Sequence, residues 1–151
     1  MNYTMERWTV SKSSDLYGVT EWGGGFFFVA ENGDMMVMPE PGATDRAVSL
    51  AAVANGVRER GLDMPVLLRI ENILDAQITN LNETFRTAME ELGYTGSFMG
   101  AYPIKVNQQK QVVEKITQFG SRYHHGLEAG SKAELIAAMG MMRDKKAVLI
   151  C

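Results

Sequence analysis

Apolar runs of strand length alternate with amphipathic segments of helical length from Ser49 to the last residue of the 151-residue chain. Two parallel strands need a long crossover connection, and a helix of about ten or more residues provides one. The clearest helical segment has apolar residues three or four positions apart and ends at Gly93. Its apolar positions are Leu74, Ile78, Leu81, Phe85, Met89 and Leu92. The alternation therefore predicts an α/β fold built from βα units with parallel strands.

Local signals place the remaining elements. Ser49 is a suitable N-cap for a helix that stops at Gly61. Ser131, with Glu134 three residues later, matches the capping box of another helix. A third helix runs through residues 112–119, where apolar residues recur at helical spacing. The predicted strands are PVLLRI at residues 65–70, SFMGAYPI at 97–104, a weaker run at 123–127 and the terminal KAVLIC.

The first 44 residues have a different pattern from the rest of the chain. Two runs rich in Phe, Val and Met flank Asn32-Gly33 within residues 17–38, which predicts a β-hairpin with a type I′ turn. The stretch PEPGAT that follows interrupts regular structure and forms a connector. We therefore expect a hairpin segment with its connector at 1–44 and a βα region at 45–151. A closed (β/α)8 barrel takes about 250 residues, so the second region could begin a barrel without closing it.

Composition excludes several classes of protein. The net charge of −3 and the scattered Lys and Arg residues argue against a nucleic-acid-binding surface. The single cysteine, Cys151, rules out an internal disulfide and a cysteine-based zinc site within these residues and fits a reducing compartment. No stretch has the features of a signal peptide or a membrane span. We expect a soluble, cytoplasmic protein with no nucleic-acid or membrane partner.

Lys105 is the first candidate for chemistry, because it stands at the C-terminal end of a predicted parallel strand. Ligands and catalytic groups of α/β folds gather at that edge. The alternative is a solvated lysine at the start of a loop. Glu128, in the motif GLEAGSKAEL, is the second candidate, since capping explains Ser131 and Glu134 but leaves Glu128 without a role. His124 and His125 are adjacent and would point to opposite faces of a strand, so a structural pair is favoured over a shared metal site.

Three motifs together closely resemble the biosynthetic arginine decarboxylases, which depend on pyridoxal phosphate and have an alanine-racemase-like barrel. They are WGGGFFFVAENGD at residues 22–34, YPIKVNQ at 102–108 and GLEAGSKAEL at 126–135. The resemblance runs from about Tyr17 to Cys151 and preserves the order and spacing of the motifs. It implies an N-terminal β-hairpin segment followed by the first βα units of a (β/α)8 barrel that is incomplete at this length.

The resemblance also implies a cofactor and a reaction. Lys105 matches the family lysine that binds pyridoxal phosphate covalently, and an apolar Tyr-Pro-Ile approach would give its amine the partial desolvation that favours the neutral, reactive form. Glu128 falls where related barrel decarboxylases have an acidic residue near the cofactor, and the alternative is a carboxylate with a structural role. The implied reaction converts L-arginine to agmatine and CO2 in putrescine and spermidine biosynthesis. Mg2+ and a homo-oligomer are implied by the family only, and no metal-binding residue is assigned.

Family members are much longer than this chain. The resemblance therefore implies an N-terminal portion, and the family's phosphate loop, the acidic partner of the pyridine nitrogen and the cross-dimer substrate residues are expected beyond Cys151. Uncovered strand edges and helix faces would favour association. We therefore expect such a portion to be inactive alone, and to aggregate, to oligomerise or to occur with its missing part supplied. Two alternatives are a non-catalytic pyridoxal-phosphate-binding protein of similar barrel fold and a truncated fragment that does not bind the cofactor.

Overall fold

The computed structural model describes residues 7–151. The chain divides into two compact units, one that ends at Ile73 and one that runs from Leu74 to Cys151. The division at residues 44 and 45 that the sequence suggests stays a prediction about domain organisation. None of the helices between residues 7 and 151 has the combined length and apolar character that crossing a membrane requires.

The first unit contains a three-stranded antiparallel sheet. Strands β1 (Phe27–Val29), β2 (Met35–Val37) and β3 (Val48–Ser49) follow one another in that order across the sheet. The predicted hairpin is confirmed, with Phe27 opposite Val37. Two short helices, α1 (Val10–Leu16) and α2 (Val19–Trp22), precede it and were not predicted, nor was β3. The buried apolar side chains here are Val19, Phe26, Val37, Met38 and Ala43.

The hairpin turn differs from the predicted type I′ turn. A type I′ turn needs positive φ at both central residues, and only Gly33 has it, at +89°, because Asn32 is not among the described residues with positive φ. The Asn32 side chain instead accepts a hydrogen bond from the Asp34 N–H at 3.0 Å. Ala30 N–H bonds to Asp34 O at 2.9 Å and Gly33 N–H to Ala30 O at 2.9 Å. The loop therefore has three residues and ends at a left-handed glycine, which matches a type I turn with a glycine bulge.

Helix α3 (Leu50–Glu59) confirms the predicted caps. Ser49 Oγ accepts a hydrogen bond from Ala52 N–H at 3.1 Å, and Gly61 just beyond the helix has a φ of +77°.

The strand predicted at 65–70 is wrong, because these residues form no ladder within the described chain. A strand is held by hydrogen bonds to a neighbour, and this run has none, so Leu67 is left 73% exposed.

Helix α4 (Glu71–Glu91) confirms the longest predicted helix, and Gly93 follows it with a φ of +63°. Only part of its apolar stripe is covered. Ile78 is buried, whereas Leu81 and Phe85 are nearly half exposed. The Phe85 ring stacks on Phe98 with a centroid separation of 4.0 Å.

The second unit is built on a parallel sheet, as predicted. Strands β4 (Ala101–Pro103), β5 (Gly126–Glu128) and β6 (Leu149–Ile150) are adjacent in that order. Helix α5 (Lys110–Gly120) connects the first pair and α6 (Lys132–Met141) the second. All three strands are shorter than their apolar runs. Residues 97–100 are irregular, and Tyr123 ends a 3₁₀ turn, Ser121–Tyr123.

A small apolar core joins the parallel strands to their helices. Its fully buried members are Ile104, Val113, Leu127 and Ala138, each at most 1% exposed. Tyr102, Met141, Met142 and Leu149 pack around them. Because Ile104 and Leu127 belong to this core, the chain directly beyond β4 and within β5 is anchored.

Candidate active site

Lys105 and Glu128 lie at the same edge of the parallel sheet. Glu128 is the last residue of β5 and pairs in register with Pro103, the last residue of β4. Lys105 follows two residues later, in the 3₁₀ turn Ile104–Val106. The carboxyl ends of neighbouring parallel strands share one edge of a sheet, which is where α/β folds bind ligands. The structure therefore brings both predicted site residues to the expected edge.

The turn that carries Lys105 is held at both ends. Ile104, the first residue of the turn, is 1% exposed and belongs to the apolar core. On the other side, the Tyr102 hydroxyl donates a long hydrogen bond of 3.5 Å to Asn107 O, across the turn. Burial raises the pKa of Tyr102, and the bond to Asn107 opposes part of that rise. The tyrosine therefore stays protonated and able to donate at neutral pH.

The Lys105 side chain itself is exposed. It takes part in no hydrogen bond or ion pair with the rest of residues 7–151. The prediction that the Tyr-Pro-Ile approach partly desolvates the Lys105 amine is therefore wrong for this chain. The apolar side chains before Lys105 turn into the core and do not cover its amine. An uncovered and unpaired amine can still react with a carbonyl compound that reaches this edge.

Glu128 is half-buried and lies near the start of α6. A methyl group placed on Gly130 would stand 3.8 Å from Glu128 Oε1 and 3.6 Å from Glu134 Oε2. Ser131 Oγ caps α6 by accepting from Glu134 N–H at 3.3 Å, which confirms the first half of the predicted capping box. The return bond differs, since Glu134 Oε2 accepts from Gly130 N–H at 2.8 Å. A carboxylate thus already occupies the helix N-terminus, which makes it a poor anion site.

The residues present fit the covalent part of a pyridoxal-phosphate site. Lys105 supplies an uncovered amine, and Glu128 supplies a carboxylate from the adjacent strand at the same edge. They do not supply a phosphate cradle, because the Gly130 N–H is taken by Glu134. Within residues 7–151 no three His, Cys, Asp or Glu side chains converge on a position that could hold a metal ion.

The two histidines lie before β5, not on a strand. His124 has a left-handed φ of +54°, and its Nδ1 lies 2.6 Å from Asp144 Oδ2. Hydrogen bonds from His124 and from the Lys146 N–H lower the pKa of Asp144. His125 is only 6% exposed, and its Nδ1 has no partner in the described chain. Burial lowers the pKa of His125, so this ring is neutral at pH 7.

The sequence interpretation missed a contact between the Lys105 loop, residues 104–109 after β4, and the Glu128 loop, residues 129–131 after β5. Gln108 Nε2 donates a hydrogen bond to Glu134 Oε1 at 3.2 Å, across 26 positions of sequence. Neither residue is unusual alone, since Gln108 reads as a loop residue and Glu134 as a cap. Only the parallel register of β4 and β5 brings them together, and that register is not visible in local patterns.

Known proteins resemble the chain over nearly its whole length, although no family model matches it. The biosynthetic arginine decarboxylase of Synechococcus sp. (strain RCC307) is 40% identical over 146 residues, which are 97% of this chain and 23% of that protein. The biosynthetic arginine decarboxylase of Pelobacter propionicus is 40% identical over 147 residues, again 97% and 23%. The chain therefore spans less than a quarter of the length of these curated relatives.

A solved structure of a protein with the same name also resembles the chain. The crystal structure of the biosynthetic arginine decarboxylase SpeA from Campylobacter jejuni superposes with a TM-score of 0.79 and 34% identity. The match covers 88% of this chain and 22% of that one. The mixed α/β fold with its parallel sheet thus resembles the N-terminal part of SpeA. By sequence and by fold, the resemblance is confirmed, and the chain is similar to the N-terminal portion of the biosynthetic arginine decarboxylases.

Proposed function

We propose that this chain contributes the cofactor-binding lysine of a pyridoxal-phosphate-dependent arginine decarboxylase. The reaction would convert L-arginine to agmatine and CO2 in polyamine biosynthesis. One observation carries the proposal. Lys105 and Glu128 lie at the same edge of a parallel sheet, in a chain 40% identical to proteins named biosynthetic arginine decarboxylases.

Each residue would have a distinct role. Lys105 would hold the cofactor covalently through its exposed amine, in the middle of a turn that Ile104 anchors in the core. Glu128 would present a carboxylate to the bound group and could orient it or hold a proton. Pyridoxal phosphate, when bound, supplies the electron sink that stabilises the charge left by CO2 loss. The phosphate would need donors other than the start of α6, where Glu134 already takes the Gly130 N–H.

The three parallel strands would be the first units of a (β/α)8 barrel. Their order follows the sequence, and each crossover contains a helix, α5 or α6, as in the successive units of such a barrel. Because the chain spans 23% of its curated relatives, we expect it to bind the cofactor without completing the reaction. A homo-oligomer and a Mg2+ requirement stay predictions from the family, and a cytoplasmic location stays a prediction from the composition.

Covalent trapping tests the lysine directly. The purified chain would be mixed with pyridoxal phosphate, reduced with borohydride, digested and examined by peptide mass spectrometry. We expect one dominant adduct on Lys105, which disappears in Lys105→Ala and persists in Lys110→Ala, the matched change at another exposed lysine. An adduct spread evenly over the surface lysines would refute a specific site.

Activity is tested on a polypeptide extended to the length of the relatives. Release of agmatine from L-arginine, lost in Lys105→Ala, would establish a decarboxylase. Cofactor binding with no product from any basic amino acid would instead favour the non-catalytic pyridoxal-phosphate protein. Absence of any adduct would favour a fragment that does not bind the cofactor.

A further inference from the structure

A side-chain bridge connects the two loops at the carboxyl edge of the parallel sheet. Glu134 forms it with both carboxylate oxygens. Oε1 accepts from Gln108 Nε2 at 3.2 Å, and Oε2 accepts from Gly130 N–H at 2.8 Å. Gln108 lies three residues after Lys105, and Gly130 lies two residues after Glu128. One carboxylate therefore contacts both loops within three residues of each candidate site residue.

Helix capping accounts for only part of this arrangement. The cap of α6 requires Ser131 Oγ to accept from Glu134 N–H, and this bond involves the glutamate backbone. A capping-box side chain bonds to a backbone N–H at its own helix start, which the bond to Gly130 resembles. The bond to Gln108 belongs to a different loop and serves no helix. It uses the oxygen that capping leaves available.

The bridge lies beyond the last backbone pair of β4 and β5. Ladder hydrogen bonds between β4 and β5 stop at the pair Pro103 and Glu128. Beyond that pair, Lys105 is an exposed residue of a 3₁₀ turn, and Gly130 lies in a loop. A hydrogen bond to a carboxylate is stronger than one between neutral groups, so Glu134 is suited to fix the spacing of the loops.

We infer that Glu134 is a positioning residue, which holds the Lys105 loop against the Glu128 loop through Gln108. It does not touch the reacting atoms. Its effect on cofactor binding rests on the proposed function, whereas its effect on the loops does not. Breaking the bridge should let the Lys105 loop move relative to Glu128 and weaken attachment of pyridoxal phosphate.

A swap of the two side chains tests the bridge. Gln108→Glu places two carboxylates opposite each other, which removes the donor and adds repulsion. Adding Glu134→Gln restores a donor and an acceptor in the reverse order, since the introduced amide can donate to position 108 and still accept from Gly130 N–H. The double variant also keeps the net charge of the original pair.

Two measurements follow the swap. The first is the backbone amide NMR spectrum of residues 105–109 and 128–131 without cofactor, which should change in Gln108→Glu and return in the double variant. The second is the apparent dissociation constant for pyridoxal phosphate. We expect it to rise about fivefold in the single variant and to return to within about twofold in the double variant, as for loss of one hydrogen bond.

Ser131→Ala is the matched control, because it removes the cap of α6 and leaves the Gln108 bond in place. It should lower thermal stability without moving the amide signals of residues 105–109 or the cofactor affinity. The inference is overturned if Gln108→Glu leaves those signals or the affinity unchanged, or if Ser131→Ala has the same effect. If the signals respond while the original chain binds no pyridoxal phosphate, the proposed function fails and the bridge stands.

Discussion

Apolar runs of similar length form strands in the second unit but not at residues 65–70 of the first unit. In the second unit, residues 101–103 and 149–150 become parallel strands on either side of β5. In the first unit, residues 65–70 have a comparable composition but form no ladder, and Leu67 is 73% exposed. Helices α5 and α6 return the chain beside its previous strand, and the 65–70 run has no such neighbour in the described chain. An apolar run therefore becomes a strand through its partner and not through its composition.

The units also differ in how closely their backbones approach. In the parallel sheet, a side chain at Gly126 would overlap the carbonyl oxygen of Val148, whereas the space around Gly33 in the hairpin turn is open. We expect Gly126→Ala to cost about 4 kcal/mol or more, since a clash of β5 with the backbone of the residue before β6 cannot relax by rotation of a side chain. Urea unfolding followed by circular dichroism measures the loss.

Gly33→Ala is the comparison in the hairpin. It meets no atom, and its cost comes from placing an alanine at a φ of +89°, about 1 to 2 kcal/mol. If the two variants lost equal stability, backbone approach would not distinguish the parallel sheet from the hairpin.

His125 should make the second unit sensitive to acid. Its ring packs where Gly100 and Gly120 leave room, and burial lowers its pKa below the ordinary value of 6.5. As pH falls, His125 therefore gains its proton in the unfolded chain before it does so in the folded chain. The stability that neutral His125 contributes is complete above about pH 6.5 and is lost as pH falls through the lowered pKa of the folded state. One proton limits the slope to about 1.4 kcal/mol per pH unit. Urea midpoints measured from pH 7.5 to 5 give the slope.

Two substitutions separate His125 from its neighbour. His125→Phe keeps a flat ring between the glycines and should remove most of the slope. His124→Asn should retain it, because this change leaves the buried His125 ring in place, and even the ordinary pKa of Asp144, 3.8, lies below the range measured. A slope that survives His125→Phe would assign the acid sensitivity to another group.

Ion pairs offer a smaller contrast between the units. Arg122 contacts both Asp75 and Thr79 of α4, with side chains 45% and 37% exposed for Arg122 and Asp75. The Arg46 side chain forms its ion pair with Glu40, and these side chains are 56% and 63% exposed. We expect Arg122→Ala to cost about 1 kcal/mol and Arg46→Ala about 0.3 kcal/mol or less. The free energy of unfolding of both variants would be measured at low and at high salt. Because salt screens exposed ion pairs, the difference between the two losses should be smaller at high salt. Equal losses would indicate that exposure and partner number do not matter here.

Local patterns in the sequence predicted helices α3 to α6 and the caps of two of them, but not the short helices α1 and α2. Ser49 and Ser131 cap their helices as expected because a cap depends on residues within one helical turn. Strand extent at residues 65–70 and 97–100, and the turn at Asn32, were mispredicted. The missing information was pairing in the first two cases and a competing side-chain hydrogen bond in the third.

The candidate site shows the same division. The edge position of Lys105 and Glu128 was predictable, since any residue that follows a parallel strand lies there. The exposure of Lys105 was not predictable, because it depends on which way Ile104 and its neighbours pack. The contact between Gln108 and Glu134 was also missed, because it depends on the register of two strands.

The smallest effect is expected at the unpaired apolar run. Leu67 is 73% exposed, so Leu67→Asp removes no core contact and should change the free energy of unfolding by no more than about 0.5 kcal/mol. Ile104→Asp is the matched change in the second unit, where the side chain is 1% exposed and a buried unpaired charge is strongly destabilising. Exposed apolar residues favour association, so Leu67→Asp should also reduce self-association. Sedimentation velocity measures that change. A large loss of stability in Leu67→Asp would show that the 65–70 run is packed like a strand after all, and the contrast between the two units would fail.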